Sequence, residues 1–390
     1  MIERAILWVA HPPILRQRVG GMTVLERQLF TAARAGLKTL FVGAHAPAAA
    51  ELAALRVPAG VELHWAEGGG AGLAECAPPY LGLSTDHLVR VETLRHVAAQ
   101  NYGESISYED AAGLGVIQVV LRRDESLSRH KQPLPEGSYR RLEAPLDGAA
   151  TVDWLMESGP RPGDGFMARH FDRHISLSVS RALLETGVTP NVMTVFSTAL
   201  GLAGGALFLL PGRAPAVAGA LLVWLHSVLD GCDGELARVR FQESDFGADL
   251  DFWGDNLVHL VLFSCLGAGF HLAGAGPHAL ALSGAAVASV LASSYFAWRH
   301  RRARRAAGRS AAGVTEEVAG PGLDGRLSRL ENALAQRDFI YLLVLLALVD
   351  RVYEFLWAAA VGGALYFAIM LYLRRDTNEH ARQPHPARQG

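Results

Sequence analysis

Asp230-Gly231-Cys232-Asp233-Gly234-Glu235-Leu236-Ala237-Arg238, followed by Gly247, Asp251 and Asp255, is the stretch on which the reading of this chain turns. On a helix, Asp230, Asp233, Gly234 and Ala237 fall at i, i+3, i+4 and i+7 and share one face. Gly247, Asp251 and Asp255 do the same at i, i+4 and i+8. Two carboxylate-bearing faces can therefore converge. The stretch lies at the junction of two long apolar runs, and an acidic side chain at membrane depth costs about 2.5 to 3.5 kcal/mol, so four cost roughly 10 kcal/mol or more. Few basic residues lie close enough in sequence to offset that cost. Hard oxygen donors favour Mg²⁺ or Mn²⁺, so one or two divalent cations are the economical answer. The small Gly234 and Ala237 leave room for a bulky diphosphate against the backbone.

Outward from this junction, six apolar segments can be drawn at roughly 191–210, 214–236, 250–273, 277–298, 338–352 and 354–373. Most are near the ~20 residues a spanning helix needs. The loop after the fourth carries Arg299, Arg301, Arg302, Arg304, Arg305 and Arg309, whereas 273–277 carries no charge. The positive-inside rule puts the arginines in the cytoplasm, and with them both termini and the 237–249 loop; Arg374 and Arg375 agree. Asp245 and Asp249 read as solvated loop charges. His226, one turn before Asp230, reads as a packed histidine, with a ligand role as the alternative. Ahead of the spans, Phe166 to Glu185 places Met167, Phe171, Ile175, Val179 and Leu183 at helical spacing, with Arg169, Arg173 and Arg181 elsewhere. The expectation is an interfacial amphipathic helix over 166–187.

The first half of the 390 residues has a different texture. Short apolar runs at Ala5–Val9, Thr39–Gly43, Val61–Trp65 and Val116–Leu121 alternate with helical stretches, the pattern of an α/β domain over 1–123. Its first helix opens on a Thr23/Glu26 capping box and stops near Gly36. A Pro- and Gly-rich linker is expected over 124–165, ending in the boundary Ser158 to Gly165, and a cytoplasmic tail over 376–390. Ala5 to Ala10 is too short for a signal core and reads as a buried strand, so no secretory signal is expected. A net charge of −2 gives no electrostatic footprint for nucleic acid. Cys76, Cys232 and Cys265 have neither disulfide-framework nor zinc spacing.

The pattern D-x2-D-G-x2-A-R-x8-G-x3-D-x3-D, complete here from Asp230 to Asp255, resembles the signature of the CDP-alcohol phosphotransferases. Thr189-Pro190-Asn191-Val192-Met193-Thr194 is similar to that family's segment near the cytidine. The resemblance covers about 166–375 and implies a six-helix membrane domain over 188–375. It implies that Asp230, Asp233, Asp251 and Asp255 bind metal, Mg²⁺ or Mn²⁺ and two of them, and that Asp255 is also the catalytic base. It further implies that Gly234, Ala237, Arg238, Gly247, Pro190, Asn191 and Thr194 surround the nucleotide. The reaction implied is transfer of a phospho-alcohol from a CDP-activated donor to a hydroxyl, with CMP leaving.

The front domain is similar in outline to sugar-phosphate nucleotidyltransferases, through Gly20-Gly21-Met22-Thr23-Val24-Leu25-Glu26-Arg27 and Ser84-Thr85-Asp86-His87. The fold class expected is thus an α/β nucleotidyltransferase-like domain followed by an all-α six-helix transmembrane domain. The domain order resembles that of bifunctional inositol-1-phosphate cytidylyltransferases fused to di-myo-inositol phosphate phosphate synthases. The chain departs from the family at Val9-Ala10-His11-Pro12-Pro13-Ile14-Leu15-Arg16-Gln17-Arg18, where a glycine-rich loop should cradle a triphosphate. A regulatory or scaffolding front domain is therefore expected, and Gly68–Gly72 reads as a flexible loop with phosphate binding as its alternative.

The partners expected are CDP-diacylglycerol or a CDP-polyol as donor, a hydroxyl acceptor that can itself be phosphorylated, membrane lipids and, as an option, a second copy of the chain. The location expected is the cell inner membrane, with the soluble domain and the site facing the cytoplasm. Two rivals stand beside this reading: a bifunctional enzyme that also makes its CDP-alcohol from CTP, and an ion-coupled transporter. The second is disfavoured because no inverted repeat or paired broken helices are visible.

Overall fold

The computed structural model describes residues 1–44, 53–65, 76–122, 130–143, 145–157, 167–306 and 339–380. The Gly68–Gly72 loop, the 158–165 boundary, Arg309 and the last ten residues of the tail lie outside them. The chain divides into two compact units, Met1–Ser158 with Val239–Phe241, and Gly159–Arg238 with Gln242–Gly390. They are described separately.

In the front unit the strands are β1 (Arg4–Trp8), β2 (Arg18–Val19), β3 (Met22–Thr23), β4 (Thr39–Val42), β5 (Glu62–Trp65), β6 (Tyr80–Ser84), β7 (His87–Val89), β8 (Ile106–Glu109), β9 (Gly115–Val120), β10 (Lys131–Pro133) and β11 (Tyr139–Arg141). The helices are α1 (Pro12–Leu15), α2 (Val24–Arg34), α3 (Val91–Ala99) and α4 (Gly148–Met156). Seven strands form one sheet in the order β10-β8-β9-β6-β1-β4-β5. β5, β4, β1 and β6 are parallel, and β9 runs antiparallel to both β6 and β8. Buried-on-both-faces runs such as Ala5-Ile6-Leu7 explain the unbroken apolar strands at the centre. The capping box is present: Thr23 N donates to Glu26 Oε2 at 2.8 Å and Glu26 N to Thr23 Oγ1 at 3.2 Å. The chain leaves α2 through Gly36, whose φ of +99° suits glycine.

One expectation changes here. The stretch read as a linker contains β10, β11 and α4, and groups with the front unit. Leu134, Leu142 and Trp154 carry it into the core. Proline and glycine mark turns between these elements.

A buried pair joining β7 to the end of β8 gives a first expected result. His87 Nε2 lies 3.1 Å from Asp110 Oδ2, both nearly inaccessible. Burial pushes the Asp110 carboxyl up, but the N–H groups of Leu114 and Ala112 and the His87 ring outweigh it, and the net pKa is lowered. A lowered folded value contributes stability above the unfolded pKa of about 3.9 and loses it as pH falls through the folded value. Asp110→Asn should therefore lower stability at neutral pH and flatten the loss as pH falls below about 4, read from urea midpoints across that range.

In the rear unit a short π-helix at Ala168–Asp172 leads into α5 (Arg173–Leu184), followed by α6 (Pro190–Leu207), α7 (Arg213–Val239), α8 (Asp245–Leu272), α9 (Ala279–Ala306), α10 (Phe339–Leu348) and α11 (Val352–His380). Among the described residues, four helices are long and apolar enough to cross a membrane: Arg213–Val239, Asp245–Leu272, Ala279–Ala303 and Val352–Leu373. Phe339–Leu348 is a shorter apolar helix, ended where Asp350 takes a φ of +60°. Large apolar side chains point outward along these helices, among them Leu221, Leu257, Leu291, Val361 and Leu365. Outward apolar surface is what a helix needs against lipid. The 237–249 loop is shorter than expected, since α7 runs to Val239 and α8 starts at Asp245; the fourth span continues helically through the arginines to Ala306.

Glycines set the helix spacing. A Cβ on Gly204 of α6 would stand 2.8 Å from Gly219 O and 2.9 Å from Val223 N, both backbone atoms of α7. One on Gly205 would stand 3.2 Å from Leu262 N of α8. α6 is thereby drawn against both helices that carry the aspartates. Gly204→Ala should cost roughly 1 to 3 kcal/mol, the usual price of overpacking, measured as a lower unfolding midpoint in detergent.

Candidate metal centre

The carboxylates come from two helices. Asp230 and Asp233 are buried on α7, while Asp251 and Asp255 on α8 are half-buried. One ligand atom each of Asp230, Asp233 and Asp251 lie within 4.8 Å of one another, and so do those of His226, Asp230 and Asp255. Asp230 belongs to both groups. The four aspartates singled out from the sequence are therefore brought together, and His226, 4% exposed, joins them. Its Nε2 faces Asp255 Oδ1 at 3.5 Å, and its Nδ1 is buried with no hydrogen-bond partner among the described residues.

α6 supplies the third wall. Pro190 occupies its first turn behind the cap Thr189, whose side chain accepts from Val192 N. Thr194, 2% exposed, donates its hydroxyl to Asp233 Oδ2. The other Asp233 oxygen accepts from Gly234 N. Asn191 stands against Gly247, where an added Cβ would lie 3.0 Å from Asn191 Oδ1. Gly234 lies beside Arg238, whose Nη1 would be 3.1 Å from a Cβ there. Ala237 is half-buried and Arg238 exposed. Three buried or half-buried carboxylates in one group, and two with an imidazole in the other, fit a divalent cation: the donors are oxygen-rich and net negative.

Several partners escaped the sequence reading. Glu235, in a variable position of the motif, is 7% exposed and accepts from Ser176 Oγ at 3.1 Å and Ser180 Oγ at 2.8 Å of α5. Asp172 accepts from the Tyr341 hydroxyl of α10. α5 thus turns its serines inward and leaves Ile175 exposed, as is Phe171 of the π-helix before it. The signal was the i, i+4 pair of serines on a helix otherwise judged by its apolar side. Asp245 and Asp249 are not loop charges but stand in the first turns of α8, where Arg305 Nη1 meets Asp249 Oδ2 at 2.8 Å and Arg305 Nε meets Asp245 Oδ1 at 3.3 Å. Arg301 lies over the Phe252 ring at 4.5 Å.

A cavity of about 480 Å³ opens beside the carboxylates, walled by α8, α9, α10 and α11. Asp251 and Asp255 line one part and Arg301 another, with Asn256, Ser293 and Ser294 between apolar neighbours. Ser293 Oγ is buried there without a partner among the described residues.

In the front unit, a second cavity of about 460 Å³ is lined by His11, Ser84, Asp86, His87, Arg141 and Glu143 among others. It lies at the carboxyl ends of neighbouring β1 and β6, where open α/β sheets bind ligands. His11, from the segment that lacks the glycines, has its Nδ1 3.1 Å from Asp86 Oδ2.

Residues 187–374 match the family model described as CDP-alcohol phosphatidyltransferase. The chain is 36% identical over 152 residues to a bifunctional IPC transferase and DIPP synthase of Rubrobacter xylanophilus, covering 38% of this chain and 34% of that protein. It is 30% identical over 191 residues to the protein of the same name from Aquifex aeolicus, covering 48% and 40%. A phosphatidylinositol phosphate synthase of Mycobacterium bovis is 37% identical over 98 residues, covering 25% and 44%. The matched part of the chain thus spans well under two thirds of these relatives' lengths.

Proposed function

Taking residues 187–374 as a domain of the CDP-alcohol phosphatidyltransferase family, we propose that this chain transfers a phospho-alcohol from a CDP-activated donor to a hydroxyl acceptor, releasing CMP. The observation that carries the reading is the convergence of Asp230, Asp233, Asp251 and Asp255 from two helices onto overlapping ligand groups. Asp230, Asp233, Asp251 and Asp255 would hold divalent cations, Mg²⁺ or Mn²⁺, with Asp230 common to both ligand groups. Bound there, the cations would neutralise charge on the diphosphate oxygens and lower the barrier to in-line displacement.

The residues divide the remaining work. Asp255, beside the cavity, takes the proton of the acceptor hydroxyl. The acceptor oxygen forms a bond to the phosphorus that carries the alcohol, and the bond from that phosphorus to the bridging oxygen breaks. CMP departs with that oxygen. Thr194 fixes the Asp233 carboxylate. Gly234, Ala237 and Gly247 keep the wall low beside the nucleotide, where Pro190, Asn191 and Arg238 also stand. The 480 Å³ cavity suits a hydroxylated acceptor: Asn256, Ser293 and Ser294 offer hydrogen bonds, and Arg301 offers a partner for an acceptor phosphate. An inositol phosphate fits that description, and the relatives' names include phosphatidylinositol phosphate synthase.

The six-span arrangement takes α6 and α10 as membrane segments beside the four longer helices. Arg299, Arg301, Arg302 and Arg305 near the end of α9 support a cytoplasmic face for the site. α5 lies at the interface. Release of CMP from CDP-diacylglycerol should require added Mg²⁺ or Mn²⁺ and stop on chelation; metal-independent release would contradict the proposal.

Names of the relatives also support a second reading, that the chain makes its own donor. Against it, the segment after β1 lacks the glycines of a nucleotide loop, and its His11 Nδ1 stands 3.1 Å from Asp86 Oδ2. We expect no CDP-alcohol from CTP and inositol phosphate. Formation that disappears in Asp86→Asn would establish the bifunctional reading instead.

A further inference from the structure

We propose that His226 is a nitrogen ligand of the cation held by Asp230 and Asp255, giving that position a mixed nitrogen and oxygen donor set. The proposal rests on the metal-assisted reading above and names the kind of ion its second position prefers. His226 is one turn before Asp230 on α7, so both side chains project from the same helix face. The ring is 4% exposed, and its ligand atom lies within 4.8 Å of those of Asp230 and Asp255.

A packing role does not account for its polar atoms. Nδ1 has no hydrogen-bond partner among the described residues, and Nε2 stands 3.5 Å from Asp255 Oδ1. That is longer than the roughly 2.7 to 3.2 Å of an N–H···O bond. It matches two donors sharing one ion, which at about 2.0 to 2.2 Å each stand roughly 3 to 3.5 Å apart. A buried imidazole whose Nε2 lacks a good hydrogen bond is costly, and an ion would give that nitrogen a partner.

The neighbours hold the ring in this orientation. An added Cβ on Gly201 of α6 would stand 2.9 Å from His226 Cδ2 and 2.7 Å from a Val258 methyl of α8. The glycine leaves room for the ring, with Val258 packed against the same position.

Imidazole is a poor ligand for Mg²⁺, which prefers oxygen donors and retains water, whereas first-row transition ions accept nitrogen readily. One ion position would therefore favour Mn²⁺ over Mg²⁺, and the position formed by Asp230, Asp233 and Asp251 would not.

Pulsed electron paramagnetic resonance of the purified full chain loaded with Mn²⁺ tests this directly, because a bound nitrogen modulates the manganese echo. The wild type should show nitrogen modulation. His226→Gln should lose it and bind Mn²⁺ at least about 10-fold more weakly at one site. Affinity for Mg²⁺ should change much less, and His259→Gln, four residues beyond Asp255, should keep the modulation. Bound Mn²⁺ without nitrogen modulation in the wild type overturns the inference and leaves the metal reading intact; that measurement does not depend on any variant folding. Modulation that persists in His226→Gln also overturns it. No Mn²⁺ bound at all overturns both.

Discussion

Asp255→Asn should reduce CMP release from a CDP-activated donor by about three orders of magnitude, the combined effect of a lost proton acceptor and a weakened ion position. The substitution keeps the side chain's size and removes one negative charge from a group in which Asp230 and His226 are neighbours. Without metal, the carboxylates of Asp230, Asp233, Asp251 and Asp255 repel one another in a low-dielectric setting. The variant should therefore unfold no earlier than the wild type when both are metal-free. Activity loss with retained or improved metal-free stability separates a chemical role from a folding defect. Equal activity in the two proteins would remove Asp255 from the mechanism.

A second large effect is expected away from the ions. Ser176→Ala combined with Ser180→Ala removes two hydroxyl donors from the buried Glu235 carboxylate. A hydrogen bond to a charged group contributes about 1.5 to 3 kcal/mol, so the double variant should lose roughly 3 kcal/mol or more. Thermal unfolding in detergent reads this as a clear fall in midpoint. Glu235 is two residues from Asp233 on α7, so the loss should also weaken Mn²⁺ binding. A neutral result would mean that α5 is held chiefly by other contacts, such as Tyr341 with Asp172.

The sequence was most legible where spacing and chemistry coincide. Asp230, Asp233, Asp251 and Asp255 repeat at helical intervals, so their convergence followed from period alone once two helices were granted. Thr23 and Glu26 announced a helix start by a local hydrogen-bond exchange that needs no tertiary information. Asp245 and Asp249 were misread because their partner, Arg305, lies some sixty residues away on α9; only folding pairs them. Glu235 was passed over for the same reason, since its donors sit on α5. The 124–165 stretch misled differently: β10, β11 and α4 are too short for periodicity to register, and their prolines and glycines mark turns between them. His226 was readable as a choice between packing and ligation, and spacing could not decide it. Its unpartnered Nδ1 and the space left by Gly201 come only with the packed helices.

The central claim is a metal-dependent displacement that breaks the CDP-alcohol at the phosphorus bearing the alcohol. Phosphorus NMR of purified full-length protein with CDP-diacylglycerol, an inositol phosphate and Mn²⁺ follows that bond directly. The expected result is a new phosphodiester signal growing in step with CMP, absent with chelator and in Asp230→Asn. Products containing CDP in place of CMP, or CMP formed at the same rate without metal, would contradict the account.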